Sequence, residues 1–127
     1  MNIFKRANFN IIPNCFIITD SCKHDENERF FVKFHNSAKI PIDVKLLDSN
    51  SVLQTVKSAI APEGEYTHTA SFKNKFVFTT SNSNDRLNAS AKGTTAMVFD
   101  GCQFKAEERQ LITVYILEGK KIIGIKD

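Results

Sequence analysis

The residues able to do chemistry in this chain are few and scattered. Three cysteines (Cys15, Cys22, Cys102) and three histidines (His24, His35, His68) are its whole supply of thiols and near-neutral bases. Cys15, Cys22 and His24 lie close enough to suggest a metal. Yet Cys-x6-Cys-x-His is not a common zinc spacing, and no fourth ligand is evident. His35 falls at the end of one alternating stretch and His68 inside another. No nucleophile stands beside either, as a general base would require. G-x-S-x-G, P-loop, G-x-G-x-x-G and C-x-x-C patterns are all missing. The expectation is a protein without catalytic residues, metal or cofactor.

The cysteine count is odd, which suits a reducing compartment or buried thiols better than a disulfide framework. Cys15 and Cys22 could bridge locally; their spacing leaves that open. Near the start, MNIFKRANFNIIPNCF carries basic residues, but Asn8, Asn10, Pro13 and Asn14 interrupt the apolar run that a signal peptide needs. The expected location is therefore the cytoplasm or nucleus. The sequon Asn88-Ala89-Ser90 has no meaning there. With 17 basic and 14 acidic residues, the net charge is +3 and the lysines are spread along the chain. Nucleic-acid binders concentrate charge and add stacking aromatics, so neither nucleic acid nor a membrane is the expected partner.

What would position any site is a set of short strands. In FFVKFHN, Phe30, Val32 and Phe34 fall on one face and Phe31, Lys33 and His35 on the other. This period of two is the signature of a half-buried strand. KIPIDVKLLD repeats it with Ile40, Ile42, Val44 and Leu46 inward. SVLQTVKSAI is also read as a strand, because β-branched residues dilute its helical pattern. EYTHTASF places Tyr66, His68, Ala70 and Phe72 on one side, and KFVFTT places Phe76 and Phe78 together. TTAMVFD reads as one strand, while Leu87 to Lys92 carries little signal. QFKAEER is a loop or one helical turn. LITVYIL and KKIIGI form a hairpin around Glu118-Gly119. Turn signals recur about every ten residues, the spacing of a sandwich.

The expected fold is all-β, a two-sheet sandwich of seven to nine strands, immunoglobulin- or prealbumin-like, with little or no helix. Residues 1–29 form an N-terminal extension with an edge strand at Cys15 to Thr19, and 30–127 form the sandwich. The expected core is Phe30, Val32, Phe34, Ile42, Val44, Leu46, Phe76, Phe78, Val98, Val114 and Ile116.

The order of local motifs resembles the β domain of the von Hippel–Lindau type. A first core strand ends on an aromatic, an asparagine and a serine, here Phe34-His35-Asn36-Ser37. A second strand ends in an aspartate turn at Asp48. A Pro-Gly turn follows at Ile60-Ala61-Pro62-Glu63-Gly64. Then come Ser71-Phe72, Phe76-Val77-Phe78 and Asp85-Arg86-Leu87. Ile112-Thr113, Val114-Tyr115-Ile116-Leu117 and the basic pair Lys120-Lys121 close the series. The resemblance covers roughly residues 30–125. It departs from the family in lacking two residues between Ile-Thr and Val-Tyr.

The resemblance implies a module that binds an extended partner segment along a sheet edge. In the family, a helical domain follows and docks onto elongin C; this sequence stops at that junction, so no elongin C binding is expected. The family's hydroxyproline pocket uses two Trp, a Tyr, a Ser and a His. This chain has no Trp. Lys45 or Val44 stands at the first Trp, Asn74-Lys75 and Phe76 near the His and second Trp, and only Ser71 survives. Hydroxyproline recognition is not expected. The expected partner surface comprises Lys45, Lys57, Ser71, Phe72, Lys73, Asn74, Lys75 and Phe76, with the lysines rimming Phe72 or Phe76. Its expected ligand is an extended acidic protein or peptide segment with one apolar anchor, bound by a monomer or weak dimer. The alternatives are a self-assembling sandwich similar to major sperm proteins, which Asn84-Asp85-Arg86 faintly resembles, and a secreted or membrane-active sandwich.

Overall fold

A computed structural model describes residues 22–103 and 106–118. Among these residues there are nine strands, in two packed sheets, and no α-helix. In chain order they are β1 (Arg29–Asn36), β2 (Ile42–Leu47), β3 (Leu53–Ile60), β4 (Glu65–Ser71), β5 (Lys75–Thr80), β6 (Asn88–Ala91), β7 (Thr94–Ala96), β8 (Val98–Asp100) and β9 (Leu111–Leu117). The first sheet runs β4-β1-β9-β6-β7 and the second β3-β2-β5-β8. One short 3-10 turn, Gly101–Gln103, follows β8. The expected all-β sandwich is the fold.

The alternation of side chains explains the layers. Phe30, Val32 and Phe34 of β1 are fully buried, while Phe31, Lys33 and His35 between them are only partly covered. The same holds for Ile112, Val114 and Ile116 of β9. Two sheets that each hide one face need one shared core. At its centre Phe34 meets Phe76 edge-on at 5.1 Å and Phe78 at 5.4 Å between ring centroids.

Most connections are antiparallel, but β9 inserts between β1 and β6 and runs parallel to β1, with Val114 opposite Phe34. A two-residue hairpin at Lys92-Gly93 joins β6 to β7. Both of its residues have positive φ, 51° and 81°, the geometry of a type I′ turn.

Two core expectations change. TTAMVFD is not one strand: Thr94–Ala96 belongs to the first sheet and Val98–Asp100 to the second. The chain changes sheets at Met97, so the inward phase slips by one. Phe99 is buried opposite Phe76, and Val98 faces outward beside Val77. Leu46 is only partly buried against the core. The expected strand at Cys15 to Thr19 and the strand KKIIGI lie outside the described residues.

The cysteines also differ from expectation. Cys22 pairs with Cys102, across 80 residues of sequence. Cys22 therefore forms neither a metal site nor a local bridge with Cys15. Beside it, His24 stacks on Phe72 at 3.6 Å and its Nδ1 lies 2.8 Å from a Glu28 carboxylate oxygen. Residues Cys22 to Glu28 are thus attached to the sandwich by a covalent bond and a ring stack.

Candidate functional site at the open side of the sandwich

The strands β3 and β4 are consecutive, yet each is the edge of a different sheet. They meet at the turn Ala61-Pro62-Glu63-Gly64, closed by Gly64 N–H donating to Ala61 O at 2.8 Å. Proline sets φ for the second turn position, and Glu63 takes the third with φ of 66°. A side chain on Gly64 would approach Ala61 O at 2.8 Å, so only glycine fits there. Among the described strands neither outer edge is paired, and the sandwich is open along this side.

Asn36 fixes the turn from within. Its side chain is fully buried, and Nδ2 donates to Ile40 O and Ile60 O, each at 2.8 Å. Its Oδ1 accepts from Ala38 N–H at 2.8 Å. On the backbone, Asn36 O accepts from Glu63 N–H and Asn36 N–H donates to Gly64 O. One residue therefore satisfies backbone groups of two of the crossovers between the sheets, β1 to β2 and β3 to β4, which would otherwise bury unpaired polar groups.

The inward positions of β4 face this opening. Tyr66 and His68 are partly buried, with Tyr66 packed against the core. The Tyr66 hydroxyl lies 3.0 Å from His68 Nδ1. The His68 ring meets the Phe76 ring edge-on at 5.7 Å. Burial holds the His68 pKa below its ordinary 6.5, so the neutral ring is favoured. A neutral ring that accepts at Nδ1 carries its hydrogen on Nε2. From β3, Lys57 Nζ stands 6.0 Å from the centre of the Tyr66 ring, at the outer limit of a cation–π contact.

The strand β3 itself spans eight residues, mostly exposed, and pairs only with β2 among the described strands. Register shifts opposite Val44, and a positive φ at Ala59, mark a bulge near its end. Asp43 supports that bulge by accepting from Ala59 N–H at 2.9 Å. Bulges and lysines are common protections for an open edge.

No family model matches this chain, and no curated protein matches it either.

The residues expected to form the partner surface do not converge. Phe72 is fully buried between His24 and Phe30, and Phe76 is 1% exposed inside the core. Neither can be a surface anchor: Phe76 is an inward position of β5, and Phe72, in the turn just after β4, is packed into the core. Ser71 and Asn74 close the β4–β5 turn, with Ser71 N–H donating to Asn74 Oδ1 at 3.0 Å. Asn74 O accepts from Gly101 N–H, which ties that turn to the segment holding Cys102. Lys73 is exposed in the same turn. Lys45 and Lys75 project from the outer face of the second sheet, where Lys45 Nζ reaches Asn84 Oδ1 at 3.5 Å. Of the eight expected residues, only Lys57 borders the open side directly. Tyr66 and His68 were seen only as alternation; no local signal marked them as lining an opening.

Among the described residues no group of three His, Cys, Asp or Glu side chains could hold a metal ion. No described helix is long and apolar enough to cross a membrane.

Proposed function

We propose that this protein is a non-enzymatic interaction module that takes an extended partner segment as an added strand at β3. The carrying observation is the eight-residue β3 edge, which has no strand on its outer side among the described residues and borders the Lys57–Tyr66–His68 opening. Main-chain hydrogen bonds to β3 supply affinity, and a side chain of the segment entering the opening supplies selectivity. The resemblance to von Hippel–Lindau-type β domains supports the same mode of use. That resemblance does not extend to hydroxyproline, for which this sequence has no tryptophan to build a cage.

The partner segment is acidic. Lys33 is paired with Glu65 at 3.8 Å, whereas Lys57 has no acidic partner among the described residues. An incoming carboxylate meets the Lys57 ammonium and the His68 Nε2–H. The Cys22–Cys102 bond favours a setting in which disulfides persist, rather than the reducing cytoplasm.

Peptides selected from a random extended library test the reading. They should be enriched in Asp and Glu and shift the backbone amides of Leu53–Ile60 and Glu65–Ser71. Binding should weaken as salt rises past about 0.15 M, where the Debye length is about 8 Å. Lys57→Glu should weaken it strongly, and Lys73→Glu/Lys75→Glu should not. Selected peptides that shift only amides elsewhere would place the site on another edge. Concentration-dependent mass with β3 amides perturbed would instead favour self-assembly through that strand.

A further inference from the structure

The outer face of the first sheet carries a second histidine in a different setting. His35 faces outward from the end of β1, and its side chain is 18% exposed. Its Nδ1 lies 3.1 Å from a carboxylate oxygen of Glu65 on β4. Its Nε2 lies 3.1 Å from a carboxylate oxygen of Glu63 in the β3–β4 turn. On the other side, from β9, the Tyr115 ring meets it edge-on at 5.6 Å. Lys33, two residues back on β1, reaches Glu65 at 3.8 Å. These are the titratable and charged groups that face the imidazole.

A neutral imidazole has one N–H and one lone pair, and ionised carboxylates only accept. Both contacts are satisfied together only when both ring nitrogens carry a hydrogen. We propose that His35 is a pH-sensitive clasp on the turn joining the two edge strands, closed when the ring is charged. On loss of the proton one contact becomes lone pair against carboxylate. Glu65 still has Lys33; Glu63, 78% exposed, has no other side-chain partner among the described residues. Glu63 is therefore the side that lets go.

That matters because Glu63 occupies the left-handed region, where a non-glycine residue is held at a cost. Backbone bonds to Asn36 remain, so the turn opens more often rather than coming apart. The sign is fixed by this geometry. The clasp is closed while both ring nitrogens carry a hydrogen and is lost when rising pH removes one. Because the turn links β3 to β4, the β3 edge should follow the clasp; that consequence rests on the proposed binding function.

Amide exchange at Glu63 and Gly64, normalised for intrinsic rates, tests the clasp without any ligand. Between pH 5.5 and 8.0 protection should fall about two- to fivefold, the scale of an exposed ion pair. The midpoint should coincide with the titration of the His35 ring resonances. His35→Gln and Glu63→Gln should each give a flat profile. Glu63 is exposed, so Glu63→Gln leaves the fold intact and decides the matter if His35→Gln does not fold. A flat profile in the natural sequence, or an unchanged fall in Glu63→Gln, overturns the proposal. If exchange responds but peptide affinity at β3 does not, the clasp stands and the binding reading loses support.

Discussion

Replacing Asn36 with alanine should be among the costliest single changes available. The carboxamide is fully buried and makes three hydrogen bonds, two to the carbonyls of Ile40 and Ile60 and one from the amide of Ala38. Alanine removes that partner from three backbone groups, at a site whose neighbours Ala38 and Ile60 are 2% and 4% exposed. An orphaned buried polar group costs about 1–3 kcal/mol. A water entering the vacated space recovers part of this, so the expected loss is about 3–5 kcal/mol. A domain of this size holds about 5–15 kcal/mol in total. Asn36→Asp should be no better, because it turns a carboxylate oxygen toward two carbonyls. Urea unfolding followed by far-ultraviolet circular dichroism measures the change, under non-reducing conditions so that the disulfide is constant. A loss below about 1 kcal/mol would refute the idea that Asn36 carries the β1–β2 and β3–β4 crossovers. Exchange at the Ala38 amide, expected to accelerate, provides an independent check.

Phe34→Ala or Phe78→Ala should each cost about 3–5 kcal/mol in the same assay, since Phe34 packs on Phe76 and Phe78 with no exposed surface. Reducing the Cys22–Cys102 bond, or Cys102→Ala, should lower stability by about 2–4 kcal/mol. The bond closes a loop of 80 residues, for which chain entropy alone gives about 4.5 kcal/mol. His68 sets a pH dependence of known sign. Its folded pKa lies below 6.5 because of burial, so the unfolded chain takes up the proton first. The stability it supports is present above about pH 6.5 and falls as pH drops toward the lowered value. Comparing unfolding free energies of the natural sequence and His68→Gln between pH 7.5 and 5 should show a shallower acid slope in the variant.

The parts of this fold that could be read in the sequence are those where one face of a strand touches the core. FFVKFHN and EYTHTASF alternate because their inner residues pair across the same sheet, Phe34 opposite Tyr66 and Phe30 opposite Ala70. The Pro-Gly turn was visible because its conformation demands those residues. Where the chain changes sheets, at Met97, alternation only slips phase, and nothing local reports it. The hairpin at Lys92-Gly93 was hidden because β6 is Asn-Ala-Ser-Ala, with little apolar contrast. Residues tied by long-range contacts were out of reach altogether. Cys22 meets Cys102 only after the chain has folded back across 80 residues, and His35 meets Glu63 and Glu65 only once β1 has paired with β4. The misplaced anchors Phe72 and Phe76 show the reverse problem. Their own alternation put them inside, and the resemblance drew them to the surface.

The place of β9 has a consequence for how the molecule comes into being. Leu111–Leu117 fills the middle of the first sheet, between β1 and β6. Until it has been synthesised, those two strands have no partner on their inner flanks, and the core lacks Ile112, Val114 and Ile116. A nascent chain would therefore hold two open strand templates for the time needed to make the residues between them. Parallel pairing over such a separation is slow to form, and unpaired edges of this kind invite foreign strands. The chain meets its greatest risk of misassembly before β9 arrives, and folding of the first sheet is gated by one late strand.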